Sequence, residues 1–305
     1  MPIQLRAPCK INLLLNILGR RPDGFHQLET IMWPVPVFDE LEIAAAPEGI
    51  SFLCSDDTLP TDSSNLVVRA AEAFLQRTHI RSGVRIRLQK NIPVAAGLGG
   101  GSSDAAQTIV GLNRLFGEPF DAAALHDLAA SLGSDVPFFL NPAPALATGR
   151  GEQIKHLGQF EVLEQLWLFL VYPGFGVSTR WAYQALQRFP TALNGTPGRA
   201  ERMVSLLQQG DLHAAMSELY NALESPVLAK FPILQLYQEF LRETGAVAAM
   251  MSGSGSSTFA FFLDQNTAAR VQTSFLERFG SSCWTRVVPV RFTPEDLKNY
   301  TQRHK

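Results

Sequence analysis

Glycine occupies positions 97, 99, 100 and 101 in the run Pro93-Val94-Ala95-Ala96-Gly97-Leu98-Gly99-Gly100-Gly101-Ser102-Ser103. So dense a cluster weakens any helix or strand, so its use must lie in the backbone shapes that only glycine adopts freely. Such a loop turns tightly and aims several N–H groups at one point. A helix is predicted to begin at Ser102 or Ser103, adding free N–H groups and the positive end of its dipole. Together they suit a phosphate. The run lacks the Gly-Lys-Ser/Thr ending of a Walker A sequence, and its glycine order is not that of a dinucleotide fold. The alternative is a flexible turn that caps a helix. Asp104 favours that alternative in part, because a carboxylate in a first turn caps well and repels a nearby phosphate.

A second group of residues has complementary chemistry. Lys10 stands in the apolar stretch Ala7-Pro8-Cys9-Lys10-Ile11-Asn12-Leu13, where a cation is costly without a partner. Asn12, two residues on, projects from the same face of a strand. Lys10 is either an edge lysine facing water or, with Asn12, part of a cleft. Asp135 falls in Leu132-Gly133-Ser134-Asp135-Val136-Pro137-Phe138-Phe139, a polar turn against an apolar wall. It either caps the next turn or offers a carboxylate to a substrate. Phosphoryl transfer to an alcohol needs a carboxylate that orients the hydroxyl and accepts its proton, and a cation that steadies the phosphoryl charge. Ser252-Gly253-Ser254-Gly255-Ser256-Ser257 reads as a hairpin turn or as a second source of N–H groups.

These groups are carried by alternating strands and helices. Ile11, Leu13, Leu15 and Ile17 alternate as in a half-buried strand, and Arg20–Gly24 is a turn. Strands are predicted at Leu28–Val37, Glu40–Ala45 and Val84–Leu88, with helices at Asn65–Arg77, from Ser102 or Ser103 through the periodic Ala105, Ile109, Leu112 and Phe116, and at Asp121–Leu132. Beyond a junction near Gly158, strands are predicted at Leu166–Tyr172, Ala246–Met251, Thr258–Leu263 and Cys283–Val290. Helices are predicted at Ser178–Arg188, Arg199–Gln208, Asp211–Glu218, Lys230–Thr244 and Thr267–Phe279. The order lacks the regular βα rhythm of a doubly wound sheet, so the fold class is α+β, with domains at 1–158 and 159–305. With 46% hydrophobic and 18% charged residues, the 305-residue chain can fill a large core. A formal net charge of −2 without basic runs argues against nucleic acid or membrane as partner. Three cysteines, Cys9, Cys54 and Cys283, fit no disulfide framework or zinc pattern and suggest a cytoplasmic protein.

Taken together, the segments Pro8–Leu13, Pro93–Ser103 and Ser252–Ser257 resemble the three motifs of the GHMP kinases, in the expected order. Within that superfamily, Gly19–Leu28, Asn65–Ala71 and Gly133–Phe139 resemble the diphosphocytidyl-methylerythritol kinases. The resemblance implies an N-terminal domain with a left-handed crossover and a ferredoxin-like C-terminal domain. It implies ATP as co-substrate, Mg²⁺ carried by the nucleotide with no metal ligand assigned in the protein, and 4-diphosphocytidyl-2-C-methyl-D-erythritol as the small-molecule partner. It further implies that Lys10 and Asp135 form the catalytic pair. Pro93, Val94, Ala95, Ala96, Gly97, Leu98, Gly99, Gly100, Gly101, Ser102 and Ser103 would bind ATP, with Asn65 and Leu66 at the adenine. Asn12, Phe25, His26 and Tyr183 would hold the acceptor, His26 reading the cytosine edge and the two aromatic rings stacking on it. The chain departs from the family's usual Ala at Cys9 and frequent Tyr at Phe25. A homoserine- or mevalonate-type kinase, and a nucleotide-binding sensor without catalysis, are the competing readings. The Asp23–Leu28 segment argues against the first, and Lys10 with Asp135 against the second.

Overall fold

The structure, a computed structural model, describes residues 1–293 and Asp296. Two long antiparallel strands, β1 (Ile3–Arg20) and β2 (His26–Ala46), form its spine. β2 runs unbroken where two strands were expected, with Pro34 and Pro36 inside it. The β1–β2 pairing shifts register between Pro8 and Cys9, Asn12 and Leu14, and Ile17 and Gly19. Bulges of this kind bend a ribbon and accommodate prolines that cannot donate to a ladder.

The sequence pattern missed β3 (Ile50–Cys54). It pairs in parallel with β4 (Gly83–Gln89) across a connection through helix α1 (Leu66–Thr78), giving the crossover unit of this half. Helix α2 (Gly100–Leu115) lies against β1 and β2, and α3 (Ala122–Leu132) packs on α1 and α2. A short hairpin, β5 (Ala145–Thr148) and β6 (Gln153–His156), extends β2 where the sequence had shown only the polar stretch Arg150–His156.

β7 (Trp167–Tyr172), a two-residue strand β8 (Tyr220–Asn221), β9 (Ala248–Met251), β10 (Thr258–Phe262) and β11 (Trp284–Pro289) follow. Four of these make an antiparallel sheet in the order β11-β7-β10-β9, the ferredoxin-like arrangement. The first sheet runs β3-β4-β2-β1-β8, so its last member comes from beyond Gly158. The helix expected over Lys230–Thr244 is Ile233–Glu243, starting after Pro232, and a separate helix, Glu224–Lys230, precedes it. Proline removes the N–H that would continue the helix.

Period-two alternation decides the packing of the smaller sheet. Leu168, Leu170, Phe259 and Phe261 face β1 and β2, burying Ile11, Leu13 and Trp33. Phe169, Val171, Ala260 and Phe262 face the opposite way, onto Tyr237 and Phe275 of the covering helices. Each such buried Phe contributes about 1.5–3 kcal/mol. One core therefore joins both halves and fixes the cleft between them. No helix among the described residues is long and apolar enough to cross a membrane.

Candidate active site

The glycine run connects the end of β4 to α2. Gly97 (φ 78°) and Gly99 (φ 74°) take left-handed backbone. The Ser103 N–H bonds the Gly99 carbonyl at 2.9 Å, so α2 starts at Gly100 rather than at Ser102 or Ser103. Gly100 and Gly101 thus belong to the first turn. Their N–H groups and that of Ser102 lack intrahelical acceptors by position, and all three residues line the cleft. A side chain on Gly101 would meet no protein atom within 4 Å. Most of Pro93–Ser102 lines the cleft; Leu98 and Ser103 are buried and turn away. Asp104 is no cap: it is buried and bonds Lys90.

Lys10 is 4% exposed. Its backbone N–H donates to the Leu98 carbonyl at 2.9 Å, pinning β1 to the loop. Its Nζ lies 2.5 Å from Asn12 Oδ1, 3.3 Å from the Gly97 carbonyl and 3.8 Å from Asp135 Oδ2. Asn12 turns its oxygen to the lysine because its amide donates to Thr30 Oγ1 at 2.8 Å, and Thr30 in turn donates to the Leu14 carbonyl at 2.6 Å. Burial pushes the Lys10 ammonium below its ordinary range, and Asp135 opposes that shift. Asp135 is 41% exposed, in the turn before the short helix Pro137–Leu140 whose Phe138 and Phe139 are fully buried. The turn therefore presents the carboxylate while its apolar neighbours anchor it.

The second glycine-serine loop joins β9 to β10 and closes with a Ser252 N–H to Ser257 carbonyl bond of 2.9 Å. It is a hairpin turn, and it also backs the first loop. The Ser257 N–H donates to the Ala96 carbonyl at 3.0 Å, and Ser252 Oγ donates to the Gly97 carbonyl at 3.0 Å. A Cβ on Gly97 would overlap the Ser252 carbonyl oxygen. Gly253 and Ser254 reach the cleft.

Also lining the cleft, the His26 and Tyr183 rings lie 5.1 Å apart at 36°. Burial, with Arg20 adding to it, lowers the His26 pKa, so the imidazole is neutral at pH 7. Phe25 is half exposed, with the Arg150 guanidinium 4.9 Å from its ring centre. Asn65 and Leu66 line the same cleft. The Asn65 side chain is spent as the α1 cap, accepting from the Val67 N–H at 2.9 Å and donating to the Pro60 carbonyl at 2.9 Å. All of these face one cleft of about 960 Å³. Sequence reasoning missed Arg20 and Arg150 on its wall. Arg20, the first residue of the expected turn, ends β1, a weak signal; Arg150 sits in the β5–β6 turn, which was read only as polar linker.

The family models agree with this architecture. GHMP kinases N terminal domain matches residues 65–141 and GHMP kinases C terminal matches residues 203–281, so the chain is a small-molecule kinase of the GHMP class, for which ATP is the co-substrate. A Synechococcus 4-diphosphocytidyl-2-C-methyl-D-erythritol kinase is 40% identical over 280 residues, 90% of each chain. The enzyme of that name from Pelotomaculum thermopropionicum is 42% identical over 276 residues, 90% of this chain and 94% of its own. A crystal structure of 4-(cytidine 5'-diphospho)-2C-methyl-D-erythritol kinase superposes with a TM-score of 0.77 at 34% identity, over 93% of this chain and 98% of that one. Homoserine kinase from Cytophaga hutchinsonii shares the fold, at 20% identity, with a TM-score of 0.74 over 94% of this chain and 93% of that one. The chain belongs to the 4-diphosphocytidyl-2-C-methyl-D-erythritol kinase family.

Proposed function

We propose that this chain transfers the γ-phosphate of ATP to the 2-hydroxyl of 4-diphosphocytidyl-2-C-methyl-D-erythritol, giving the 2-phosphate and ADP for isoprenoid precursor synthesis. The observation that carries this is the 3.8 Å Lys10–Asp135 pair, in one cleft with both the α2 N-terminus and the His26–Tyr183 platform. ATP lies with its adenine toward Asn65 and Leu66 and its phosphates on the N–H groups of Gly100, Gly101 and Ser102. Asp135 accepts the proton of the 2-hydroxyl as that oxygen bonds the γ-phosphorus and the bond to the β-phosphate oxygen breaks. Lys10 orients Asp135 and steadies charge on the phosphoryl oxygens. Asn12, fixed by Thr30, keeps the Lys10 ammonium aimed at the reaction.

Neutral His26 offers one donor and one acceptor to the cytosine edge. Tyr183 and Phe25 supply the stacking faces, and Phe25 does so without a hydroxyl. Arg20 and Arg150 give the acceptor's diphosphate its positive surroundings. Mg²⁺ belongs to the same reading. Two carboxylates, Asp104 and Asp135, line the cleft among the described residues, and Asp104 is committed to Lys90. That donor set fits an ion held chiefly by the phosphates of ATP, with Asp135 nearby; such an ion would neutralise phosphate charge. We place the reaction in the cytoplasm, consistent with three free thiols.

An ADP-release assay across acceptors tests the reading. The cytidyl substrate should turn over far faster than methylerythritol phosphate, homoserine or mevalonate. Equal turnover of an acceptor without the cytidyl group would overturn it.

A further inference from the structure

The glycine loop is held at both ends by a buried charge cluster outside the reacting groups. Asp39, on β2, is fully buried and does not line the cleft. Its Oδ1 accepts from the Asn91 N–H at 2.6 Å and the Ile92 N–H at 2.8 Å, the residues that lead into the loop. Its Oδ2 bonds the Lys90 ammonium, which donates onward to Asp104 Oδ2 at 2.8 Å, just past the loop. Entry and exit of the loop therefore converge on one carboxylate. They are also in steric contact: a Cβ on Gly100 would come within 3.0 Å of Ile92 Cγ2 and 3.4 Å of Asp39 Oδ2. Burying two carboxyl groups and an ammonium is expensive and adds little net stability compared with apolar packing. Their geometry has a clear use, since N–H groups that cradle a phosphate must be placed before it arrives.

We propose that Asp39, through Lys90 and Asp104, is a positioning residue that clasps the two ends of the phosphate loop and sets its nucleotide affinity. This rests on the reading of Pro93–Ser102 as the ATP phosphate site. The clasp holds the separation between Ile92 and the first turn of α2, and hence the aim of the Gly100, Gly101 and Ser102 N–H groups. Lys90 lines the cleft and could touch nucleotide itself, whereas Asp39 cannot, so Asp39 is the decisive position.

The test uses the full chain, with ATP dissociation constants measured by calorimetry beside steady-state kinetics and thermal unfolding. Wild-type binding of ATP comes first; its absence would overturn the phosphate-site reading rather than the clasp. Asp39→Asn keeps the volume but puts a donor where Lys90 or two N–H groups need an acceptor. The expected result is a rise in KM and Kd for ATP of about tenfold or more. KM for the acceptor should stay within about twofold. A purely structural role would lower melting temperature and active fraction while leaving ATP affinity of the folded protein unchanged, and that outcome would overturn the clasp. In case Asp39→Asn does not fold, Lys90→Met combined with Asp104→Asn removes the ammonium without stranding a second buried carboxylate. That double variant should fold and still bind ATP about tenfold more weakly; normal ATP affinity in it would equally refute the proposal.

Discussion

Gly97→Ala and Gly101→Ala, compared side by side, separate packing of the loop from its use. At Gly97 the backbone is left-handed (φ 78°), and a Cβ would overlap the Ser252 carbonyl oxygen and come within 3.0 Å of Gly255 N and O. A left-handed alanine costs about 1–2 kcal/mol, and overpacking adds about 1–3 kcal/mol. For a chain of this size, about 2–5 kcal/mol lowers the melting temperature by roughly 3–8 °C. At Gly101 the backbone is helical, and a Cβ meets nothing within 4 Å. Alanine there gains up to about 1 kcal/mol of helix propensity, so the melting temperature should hold or rise by about 1–2 °C. Yet that Cβ enters the space where a phosphate must approach the N–H groups, so KM for ATP should rise about tenfold or more, an energy of about 1.4 kcal/mol. Differential scanning fluorimetry and ATP titration under saturating acceptor measure both. A Gly101→Ala protein that is stable and binds ATP normally would refute the placement of the phosphates over the first turn of α2.

Asp135→Asn should lower kcat by on the order of 10²-fold or more while leaving ATP affinity nearly unchanged, as stopped-flow and titration would show. His26→Ala and Tyr183→Ala should raise KM for the cytidyl acceptor by about 5- to 150-fold, from stacking and edge contacts of about 1–3 kcal/mol, with KM for ATP unchanged. Asp104 gives a pH signature. Burial, with nearby Asp39 adding to it and Lys90 opposing, raises its pKa from 3.8 to about 8. The folded state then holds a proton that the unfolded chain has released, so its contribution to stability is complete below pH 3.8 and is lost as pH rises through about 8. Urea unfolding from pH 5 to 9 should show the wild type losing stability relative to Asp104→Asn as pH rises, with the difference levelling above about 8; parallel curves would show that Asp104 does not titrate differently on folding.

The reactive centre was legible because its signals are local. Lys10 and Asn12 share a face by strand alternation alone, and the turn around Asp135 announces itself by Gly133 and by the apolar wall that follows. The residues that support the centre were not legible, because their partners are distant in sequence. Nothing around Lys90 indicates Asp39 or Asp104, and nothing in Ser252–Ser257 indicates the loop that it backs. β3, β5 and β8 are short and draw their definition from long-range pairing, and β6 is a four-residue strand held only by the hairpin with β5, so no periodicity marked them. The start of α2 was placed two or three residues late because glycine was read as loop, whereas Gly99 turns the chain and its carbonyl already accepts the first helical bond. Leu98 and Ser103, expected at the nucleotide, face the interior. The turn of the chain at Gly99, which side-chain type alone does not reveal, decides which residues of the run face out.

The backing of the glycine loop by Ser252 and Ser257 also imposes an order in time. Ser252 and Gly97 are 155 residues apart in sequence. A ribosome adding roughly 5–20 residues per second needs on the order of 10–30 seconds to cover that distance. Until then the Ala96 and Gly97 carbonyls have neither of those partners, and β1 lacks its neighbour β8. The emerging first half thus carries an unsupported anion loop and a β1 edge still unpaired at Leu14 and Leu15, a state exposed to misassembly until the second half arrives.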